Sequence, residues 1–488
     1  MISAKASEEV SAERWPATYL LILAVGCALV LWLLPLRSSL SLDELGSYWT
    51  VKEGFRQAFH RSLEFQGESP MYYLLLAAVV RFVGRSELIM RIPSLLAMGV
   101  AAWATYRVGL RLLDRVAATL AALIFVVLSS TGYFAGAARP YAVATAAFTA
   151  ATLVLIRWLD EGHTRDAALY SVLAAVTIYA HVVFAVAFMA HGIYLYARRE
   201  DVERRGYMRL VAIVAGAGLL CVPIASQISS IARRGKTLSV PFDIVGYPKP
   251  YIFAVLLVPF VVFMAGAVMR RTSSVSRDVW LIVAWSAITP ALFVLVSLST
   301  SWNLLWGRYY FPATPGFALL AGWVLAGIRR YDVGVVCAVL AAAAGLALAS
   351  THHSPERWRE AIARTNTLTA GRRSAVLLRG GFIESRQIGW LTEPRKRSWL
   401  LAPVDYYTVS APTDPLLFDV DTAFRERFVS LLADSVKTND RVVVISNYGG
   451  AYSVLAVVES RLAGTGFHRL PEERYGDIVV TVFDRISG

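Results

Sequence analysis

The chain has 488 residues, of which 56% are hydrophobic and 17% are charged, and its mean hydropathy is +0.52. This composition excludes a soluble globular protein of that length and indicates a polytopic membrane protein. The formal net charge is +13, but most arginines lie in short loops between apolar segments. There they set membrane orientation, so the charge does not indicate nucleic-acid binding.

The first apolar segment, residues 17–36, is long enough to span a membrane, and no small-residue cleavage site follows it, so we predict no secretory signal. All three cysteines (Cys27, Cys221 and Cys337) lie inside apolar segments. Cysteines in that setting are typical of packing residues, and we expect neither disulfides nor metal ligands from them.

Two adjacent acids, Asp43 and Glu44, follow the first apolar segment at the start of the predicted first outer loop, residues 37–70. Carboxylates at a membrane exit are costly unless they hold a proton, a cation or a substrate hydroxyl. The alternative is that Asp43 caps a short interfacial helix, because an aspartate at a helix start accepts hydrogen bonds from free N–H groups. Position alone leaves both interpretations open.

The membrane orientation depends on one short apolar stretch, residues 71–80. A spanning helix needs about 20 residues, so we predict that this stretch lies as a helix in the outer interface. Every dense arginine cluster after the first loop then falls on the cytoplasmic side, as the positive-inside rule requires. These clusters lie at residues 107–115, 157–165, 198–209, 270–277 and 329–330.

The sequence predicts about eleven crossings in total, with the N-terminus in the cytoplasm and the C-terminus outside. A long outer loop, residues 229–250, carries Arg233, Arg234 and Lys236 and is long enough to cover a site. The predicted spans after the first are residues 92–112, 117–134, 141–158, 167–179, 182–196, 210–228, 251–269, 279–298, 311–328 and 333–350.

The composition becomes polar after residue 350, which predicts a membrane domain (1–350) and a small extracytoplasmic domain (351–488). Helix-period stretches alternate there with short β-rich runs, a pattern typical of an α/β domain with a partly parallel sheet. No glycine-rich nucleotide or phosphate loop is present, so we assign no cofactor to this domain. The predicted helices are 355–367, 422–437 and 452–462, and the predicted strands are 374–378, 441–446 and 477–483.

With this topology, an acidic pair, two arginines, a histidine and two tyrosines share the outer membrane face. Singly, an arginine or tyrosine at a helix end is typical of an interfacial anchor, and a lone histidine is typical of a hydrogen-bonded packing residue. Together they fit the departure of a sugar from a lipid-linked phosphate, because arginine binds phosphate and a carboxylate can act as general base. The set is Asp43, Glu44, Arg139, Tyr141, His181, Arg308 and Tyr309.

The order and sidedness of short motifs resemble the GT-C glycosyltransferases of family 39. These comprise the protein O-mannosyltransferases and the bacterial aminoarabinose and Rgt-like transferases. The resemblance covers about residues 36–327. The matching motifs are Leu42-Asp43-Glu44, Ser-Pro-Met-Tyr-Tyr-Leu-Leu-Leu at 69–76, Arg-Ile-Pro-Ser at 91–94, Ala-Arg-Pro-Tyr-Ala at 138–142, Tyr-Ala-His at 179–181, and Arg308-Tyr309 before Pro312.

The resemblance implies a GT-C membrane fold and an inverting hexosyl- or pentosyltransferase of the bacterial plasma membrane. Its donor would be a polyprenyl-phosphate-linked sugar, and its acceptor a glycan, lipid or protein on the outer face. Asp43 is expected to act as the base and Glu44 to shape the site or bind a cation. Arg139 and Arg308 are expected to hold the donor phosphate, assisted by Tyr141, Tyr309 and His181.

Two positions depart from the family pattern. Ala137 stands where members often have an acid before the Ala-Arg-Pro-Tyr motif, and Glu68-Ser69-Pro70 stands where a histidine or lysine often precedes a proline pair. We therefore predict no required metal, although a divalent metal is left open, with Glu68 as another source of a carboxylate.

A second function remains open, namely a transporter or flippase of lipid-linked glycans. It predicts ionisable residues deep in the bilayer and broken helices near the midplane. The sequence has few such residues, since Gln227 and Asp243 lie towards the outer side. A third interpretation is a ligase or polymerase of another GT-C-like type, which would use a different catalytic loop.

Overall fold

The structure is a computed structural model that describes residues 2–238, 258–267, 276–300, 304, 307–328, 331–418, 438–447 and 451–485. The chain forms two compact units. The first consists of Met1–Leu36, Phe59–Val79 and Leu88–Thr351, and the second of Arg37–Ala58, Val80–Glu87 and His352–Gly488. Residues 37–58 of the predicted outer loop 37–70 thus group with the C-terminal residues.

The first unit is built from helices, in keeping with its apolar sequence. Its α-helices are Ile2–Leu33, Pro70–Phe82, Glu87–Leu112, Arg115–Val127, Ser129–Ala135, Tyr141–Glu161, Thr164–Ala180, Phe188–Ala197, Arg199–Arg205, Tyr207–Leu238, Val258–Ala267, Arg277–Ser299, Thr314–Ala326 and Tyr331–Ala347. Shorter turns of helix are Leu34–Arg37, Phe55–Arg61, Ser62–Gln66, Val182–Ala187 and Gly307–Ala313.

Among the described residues, five helices are long and apolar enough to cross a membrane, so the chain is a multi-pass membrane protein. A sixth candidate is the pair Arg115–Val127 and Ser129–Ala135, which is bent by 64°. The helix Pro70–Phe82 is among the shorter apolar helices, as predicted for residues 71–80. The total of about eleven crossings stays a prediction. The five are Ala17–Arg37, Glu87–Leu112, Tyr141–Glu161, Tyr207–Ser229 and Arg277–Ser299.

Three predicted segments lie partly or wholly outside the described residues, as do the arginine cluster 329–330 and most of the cluster 270–277. The helix Tyr207–Leu238 continues beyond the predicted span end, so the first part of the predicted loop 229–250 is helical. The residues not described are the rest of that loop, both ends of the predicted span 251–269 (251–257 and 268–269) and the predicted helix 422–437.

The bent pair interrupts the predicted span 117–134 at Leu128, whose backbone is extended. The break removes a helical partner from the carbonyl of Val126, and the indole Nε1 of Trp32 donates to that oxygen at 3.2 Å. A freed backbone group in an apolar setting needs such a partner. The side chain of Trp32 therefore stabilises the bend locally, and no ionisable group takes part in this contact.

A close backbone contact fixes the position of the helix Thr314–Ala326, which follows the turn that carries Arg308. A Cβ at Gly322 would lie 2.5 Å from the carbonyl oxygen of Ala117, so only glycine permits this contact. At the other end of the same helix, the indole of Trp285 donates to the carbonyl of Pro312 at 2.7 Å. Together these contacts hold the 3-10 turn Gly307–Ala313 that carries Arg308.

The arginine-rich helix ends form ion pairs in the first unit. Arg198 lies 3.0 Å from Asp160, 2.5 Å from Asp201 and 3.5 Å from Asp278. Arg111 contacts Glu161 at 2.6 Å and Asp160 at 3.4 Å. Arg111 and Arg198, from two of the clusters that the positive-inside rule assigned to one membrane side, thus share Asp160 as a partner.

The second unit contains a mixed sheet, whose strands are β1 Ser374–Arg379, β2 Thr413–Pro415, β3 Arg441–Asn447, β4 Phe467–Arg469, β5 Glu473–Tyr475 and β6 Ile478–Arg485. The strand order is β2-β1-β3-β6-β4, and β5 also pairs with β6. Strand β1 pairs in parallel with β2 and β3, with Val376 opposite Val443, whereas β6 is antiparallel to β3. The prediction of a partly parallel sheet is confirmed.

Helices cover this sheet, and its core is apolar. All six residues of β1 are buried, as is usual for a strand between parallel neighbours with both faces covered. The predicted helices 355–367 and 452–462 appear as Trp358–Thr369 and Ala451–Leu462. The other helices are Leu42–Val51, Ile383–Arg386, Gly389–Thr392, Pro394–Leu400 and Ala402–Tyr407.

Candidate active site

Asp43 and Glu44 lie in the first turn of the helix Leu42–Val51, in the second unit. Ser41 is the N-cap: its Oγ accepts from the Glu44 N–H at 3.4 Å, and the Glu44 carboxylate accepts from the Ser41 N–H at 2.8 Å. This reciprocal pair is a capping box. The interpretation of Asp43 as the cap is therefore wrong, because Ser41 holds that position.

The two acids differ in their surroundings. Glu44 is fully buried and Asp43 is exposed. The Nε2 atom of His353 lies 3.9 Å from the buried Glu44 carboxylate. Glu44 is thus occupied by local structure, while Asp43 presents its carboxylate at the surface of its unit.

The segment before this helix is fastened to the C-terminal part of the second unit. The donors and acceptors come from residues more than 300 positions away, and they act on four residues between Ser38 and Leu42. The bonds are His353 N–H to Ser38 Oγ (2.9 Å), Ser39 Oγ to Glu360 (3.0 Å), Leu40 N–H to Tyr407 Oη (2.8 Å) and Leu42 N–H to Glu356 (2.5 Å).

Glu356 is the acid among these partners that faces the acidic pair. Besides the Leu42 N–H, it accepts from the Trp358 indole at 3.1 Å and from the Asn447 amide at 3.1 Å. Burial raises the pKa of Glu356 to about 7; the hydrogen bonds oppose this rise, and the negative charge of Asp43 adds to it. Sequence reasoning missed Glu356, since no local motif marks it.

The candidate phosphate-binding arginine, Arg139, lies in the first unit and is already paired. Its Nη2 is 2.9 Å from Glu68 Oε1, and its Nη1 donates to Gln66 Oε1 at 2.8 Å and to Tyr73 Oη at 3.2 Å. Tyr73 in turn donates to the other oxygen of Glu68 at 2.5 Å. The side chains of Arg139 and Glu68 are only 11% and 12% exposed, so this is a largely desolvated ion pair.

Local backbone geometry brings these partners together. Gly67 adopts a left-handed conformation (φ 64°) at the end of the turn Ser62–Gln66, which reverses the chain between Gln66 and Glu68. On the other side, Ser94 Oγ donates to the carbonyl of Arg139 at 3.2 Å. The motif 91–94 therefore supports the motif 138–142.

Arg91, the first residue of the motif 91–94, stabilises the fold through contacts with backbone carbonyls. It is fully buried, and its guanidinium donates to the carbonyls of Pro35 and Leu36 at 3.2 and 2.9 Å. Carbonyls at a helix end lack intrahelical partners, and an arginine can satisfy them. This contact ties the end of the first membrane helix to the helix Glu87–Leu112.

The rings of Tyr141 and His181 pack against each other beside this ion pair, with centroids 4.7 Å apart and planes tilted by 32°. The Nε2 atom of His181 is 3.9 Å from Glu68 Oε1. Burial lowers the pKa of His181 to about 4; Glu68 opposes the shift, and the guanidinium groups of Arg139 and Arg308 reinforce it. His181 is thus neutral at pH 7, and both arginines lie close enough to act on it.

Arg308 reaches the same cluster from the turn Gly307–Ala313. It is half-buried, and its guanidinium carbon lies 5.7 Å from the ring centroid of Tyr309. Phe311 lies three residues after Arg308, and its ring centroid is 4.4 Å from that of Phe134. The ring centroid of Phe134 is in turn 4.8 Å from that of Tyr141. The first unit therefore brings together Arg139, Tyr141, His181, Arg308 and Tyr309. Asp43 and Glu44 belong to the second unit.

Metal binding was left open by the sequence. Within the described part of the chain, no group of three or more His, Cys, Asp or Glu side chains is arranged to hold a metal ion. Glu68, which the sequence offered as a further carboxylate, is engaged with Arg139 instead. Glu68, Gln66 and Tyr73 form a guanidinium site that sequence reasoning did not anticipate.

The sequence match to a known family covers part of this cluster. Residues 67–226 match the family described as dolichyl-phosphate-mannose-protein mannosyltransferase. This segment includes Glu68, Arg139, Tyr141 and His181, but neither Asp43 nor Arg308. A comparison with curated protein sequences found no significant match.

Solved structures resemble almost the whole chain. ArnT from Cupriavidus metallidurans bound to undecaprenyl phosphate matches with a TM-score of 0.58 and 13% identity, over 94% of this chain and 97% of that chain. Its apo form matches with a TM-score of 0.59 and 14% identity, over 96% and 98%. The Archaeoglobus fulgidus oligosaccharyltransferase tethered to an acceptor peptide gives 0.55 and 12%, over 91% and 72%.

Similarity at this level of identity shows the fold, which is the GT-C fold predicted from the motifs. The family match adds sequence support over the segment that carries Arg139 and His181. Together, the family match and the shared fold support a glycosyltransferase of the GT-C superfamily.

Proposed function

We propose that this protein transfers a sugar from a polyprenyl-phosphate donor to an acceptor hydroxyl on the outer face of a bacterial plasma membrane. The observation that carries the proposal is the convergence of Arg139 and Arg308 on the buried, neutral His181. The undecaprenyl phosphate bound to ArnT, which has the same fold, supports the donor class.

The charge of the cluster suits a phosphodiester donor. Two guanidinium charges, less the one carboxylate of Glu68, leave one net positive charge, and a sugar-linked polyprenyl phosphate carries one negative charge. As the sugar leaves, the phosphate gains a second negative charge. Preorganised guanidinium groups in a desolvated site stabilise this developing charge more than they stabilise the bound donor.

Glu68 affects how the donor enters this cluster. Arg139 already makes a short ion pair with Glu68, so a phosphate must share the guanidinium with that carboxylate. The planar fork of arginine has five donors and can serve both groups. Glu68 would therefore fix the orientation of Arg139 before the donor arrives, while Tyr141, His181 and Tyr309 would line the same site.

We assign the role of general base to Asp43, which is exposed at the start of its helix. The acceptor oxygen attacks the anomeric carbon as its proton moves to Asp43, and the bond from that carbon to the phosphate oxygen breaks with inversion. The leaving polyprenyl phosphate keeps the bonding electrons. Glu44 holds the turn that carries Asp43, through its bonds to Ser41.

The test uses the purified protein in liposomes with a panel of labelled polyprenyl-phosphate hexoses and pentoses. Release of polyprenyl phosphate together with a labelled product is the expected result, and Arg139→Lys should reduce it. Arg204→Lys is the matched control, because Arg204 is 69% exposed and forms its ion pair with nearby Asp201. Movement of intact lipid-linked sugar across the bilayer without transfer would contradict the proposal and favour a flippase.

A further inference from the structure

The N–H of Leu42 is one of the first amides of the helix that carries Asp43, and such amides have no partner within their own helix. Here the partner is the Glu356 carboxylate, which lies 314 residues away in the sequence and 2.5 Å away in space. Leu42 immediately precedes Asp43, so this bond fixes the backbone next to the candidate base.

Glu356 is itself held in place by two further donors. The indole of Trp358, a fully buried residue, donates to the same oxygen as Leu42, and the amide of Asn447 donates to the other oxygen. Asn447 is the last residue of β3, and its carbonyl accepts from the buried guanidinium of Arg379 at 2.7 Å. A chain of contacts therefore runs from the sheet of the second unit to the helix of Asp43.

We propose that Glu356 is a positioning residue for Asp43, through which the C-terminal part of the second unit holds the backbone next to the base. The proposal rests on the function proposed above, in which Asp43 is the general base. It gives the C-terminal domain a direct part in turnover. A domain that only covers the site would need no carboxylate on the Leu42 amide.

The ionisation of Glu356 couples this contact to pH. Asp43 is the charged neighbour that acts on it from the helix Leu42–Val51, and its other contacts are the neutral groups of Leu42, Trp358 and Asn447. Two other titratable groups close to Glu356 in the sequence contact other acids: His353 Nε2 lies 3.9 Å from Glu44, and Arg357 lies 3.5 Å from Glu360. An ionised carboxylate accepts more strongly than a protonated one, so the contact weakens as the pH falls through the pKa of Glu356, about 7.

Two variants of the whole protein distinguish the effect of the Glu356 charge from that of its shape, and a third variant is the control. Glu356→Ala removes all three hydrogen bonds, whereas Glu356→Gln keeps an acceptor for Leu42 and removes the titration. Glu473→Gln is the matched control, since Glu473 is a carboxylate of the same unit that pairs with Arg364. The side chain of Glu473 accepts from Arg364 and Tyr475, both of which lie outside residues 37–58.

Sugar transfer is measured from pH 6 to pH 8 at saturating donor. Glu356→Ala should lower kcat by about 10- to 100-fold, the loss typical of a misplaced catalytic group, with the KM for the donor within about threefold of the native value. Glu356→Gln should keep most of the turnover at pH 8 and lose the decline between pH 8 and pH 6 that native protein shows. A native rate in Glu356→Ala, or an unchanged pH profile in Glu356→Gln, would overturn the proposal.

Hydrogen–deuterium exchange of the Leu42 amide provides a readout that does not depend on activity. We expect exchange to rise by about tenfold or more in Glu356→Ala, because a bond to a charged acceptor is lost, and to stay native in Glu473→Gln. Unchanged exchange overturns the positioning role whatever the activity. Faster exchange in a protein with no transferase activity in its native form would instead count against the proposed function.

Discussion

Arg139 and Glu68 form an ion pair at 2.9 Å in which both side chains are nearly enclosed by protein. The two residues lie in different motifs of the sequence and are 71 positions apart. A desolvated pair of this kind is costly to break, because the remaining charge is left without its partner. Several consequences can be measured.

Replacing Glu68 with glutamine should destabilise the protein. The variant keeps a hydrogen-bond acceptor but leaves the Arg139 charge without a counterion, so we expect a loss of about 2 kcal/mol. Thermal unfolding in detergent measures the effect. Glu64→Gln is the control, because Glu64 is exposed on the same turn. Equal midpoints for Glu68→Gln and native protein would show that the pair contributes nothing.

Lysine in place of Arg139 or Arg308 should weaken use of the donor. Lysine keeps the positive charge but loses the planar fork that can serve Glu68 and a phosphate together, so the KM for the donor should rise by about tenfold. Initial rates over a range of donor concentrations give this value. If both variants matched Arg204→Lys, the assignment of these arginines to the phosphate would fail.

The buried, neutral His181 makes the stability of the fold depend on pH. Its pKa is about 4 in the folded protein and about 6.5 when unfolded, so the unfolded chain binds more protons between these values. This contribution to stability is complete above pH 6.5 and is lost as the pH falls towards 4, with a total on the order of 3 kcal/mol. His181→Asn should flatten this part of the profile.

This pH dependence is tested by measuring the unfolding midpoints of three proteins between pH 4 and pH 7. The three are the native protein, His181→Asn and His60→Asn. His60 is exposed, and its variant should keep the native slope. The same slope in His181→Asn as in the native protein would mean that His181 is accessible to protons in the folded state.

We expect the two adjacent acids to differ in role, with Glu44 contributing to stability and Asp43 to catalysis. Ser41→Ala removes an N-cap and should cost about 1 kcal/mol, and Glu44→Ala should cost at least as much, since Glu44 is buried in the capping box. Asp43→Ala should leave the unfolding midpoint near the native value because the side chain is exposed. Thermal midpoints of the three variants decide whether this order holds.

Much of the architecture follows from the sequence, because apolar period and length are strong signals. The span that begins at Tyr141, the short helix near residues 71–80 and the strands β1, β3 and β6 were all predicted close to their observed bounds. The grouping of Arg139, Tyr141, His181 and Arg308 was expected from the predicted topology, which assigned them to the same membrane face.

The pairings within the site were not predictable in the same way. The bond between Glu68 and Arg139 depends on a chain reversal at Gly67, and that between Glu356 and Leu42 joins residues 314 positions apart. One signal was present and unused: Ser41, followed three residues later by Glu44, is the pattern of a capping box. This pattern assigns a capping role to Glu44 and none to Asp43.

The most direct test of this account is sugar transfer by Asp43→Asn, which keeps the shape of the side chain and removes its basicity. A general base typically contributes about 10²- to 10⁴-fold, so we predict a loss of that size with a native unfolding midpoint. Asp405→Asn, which removes the carboxylate paired with Lys52 just after the same helix, should transfer at the native rate. Full transfer by Asp43→Asn would contradict the account.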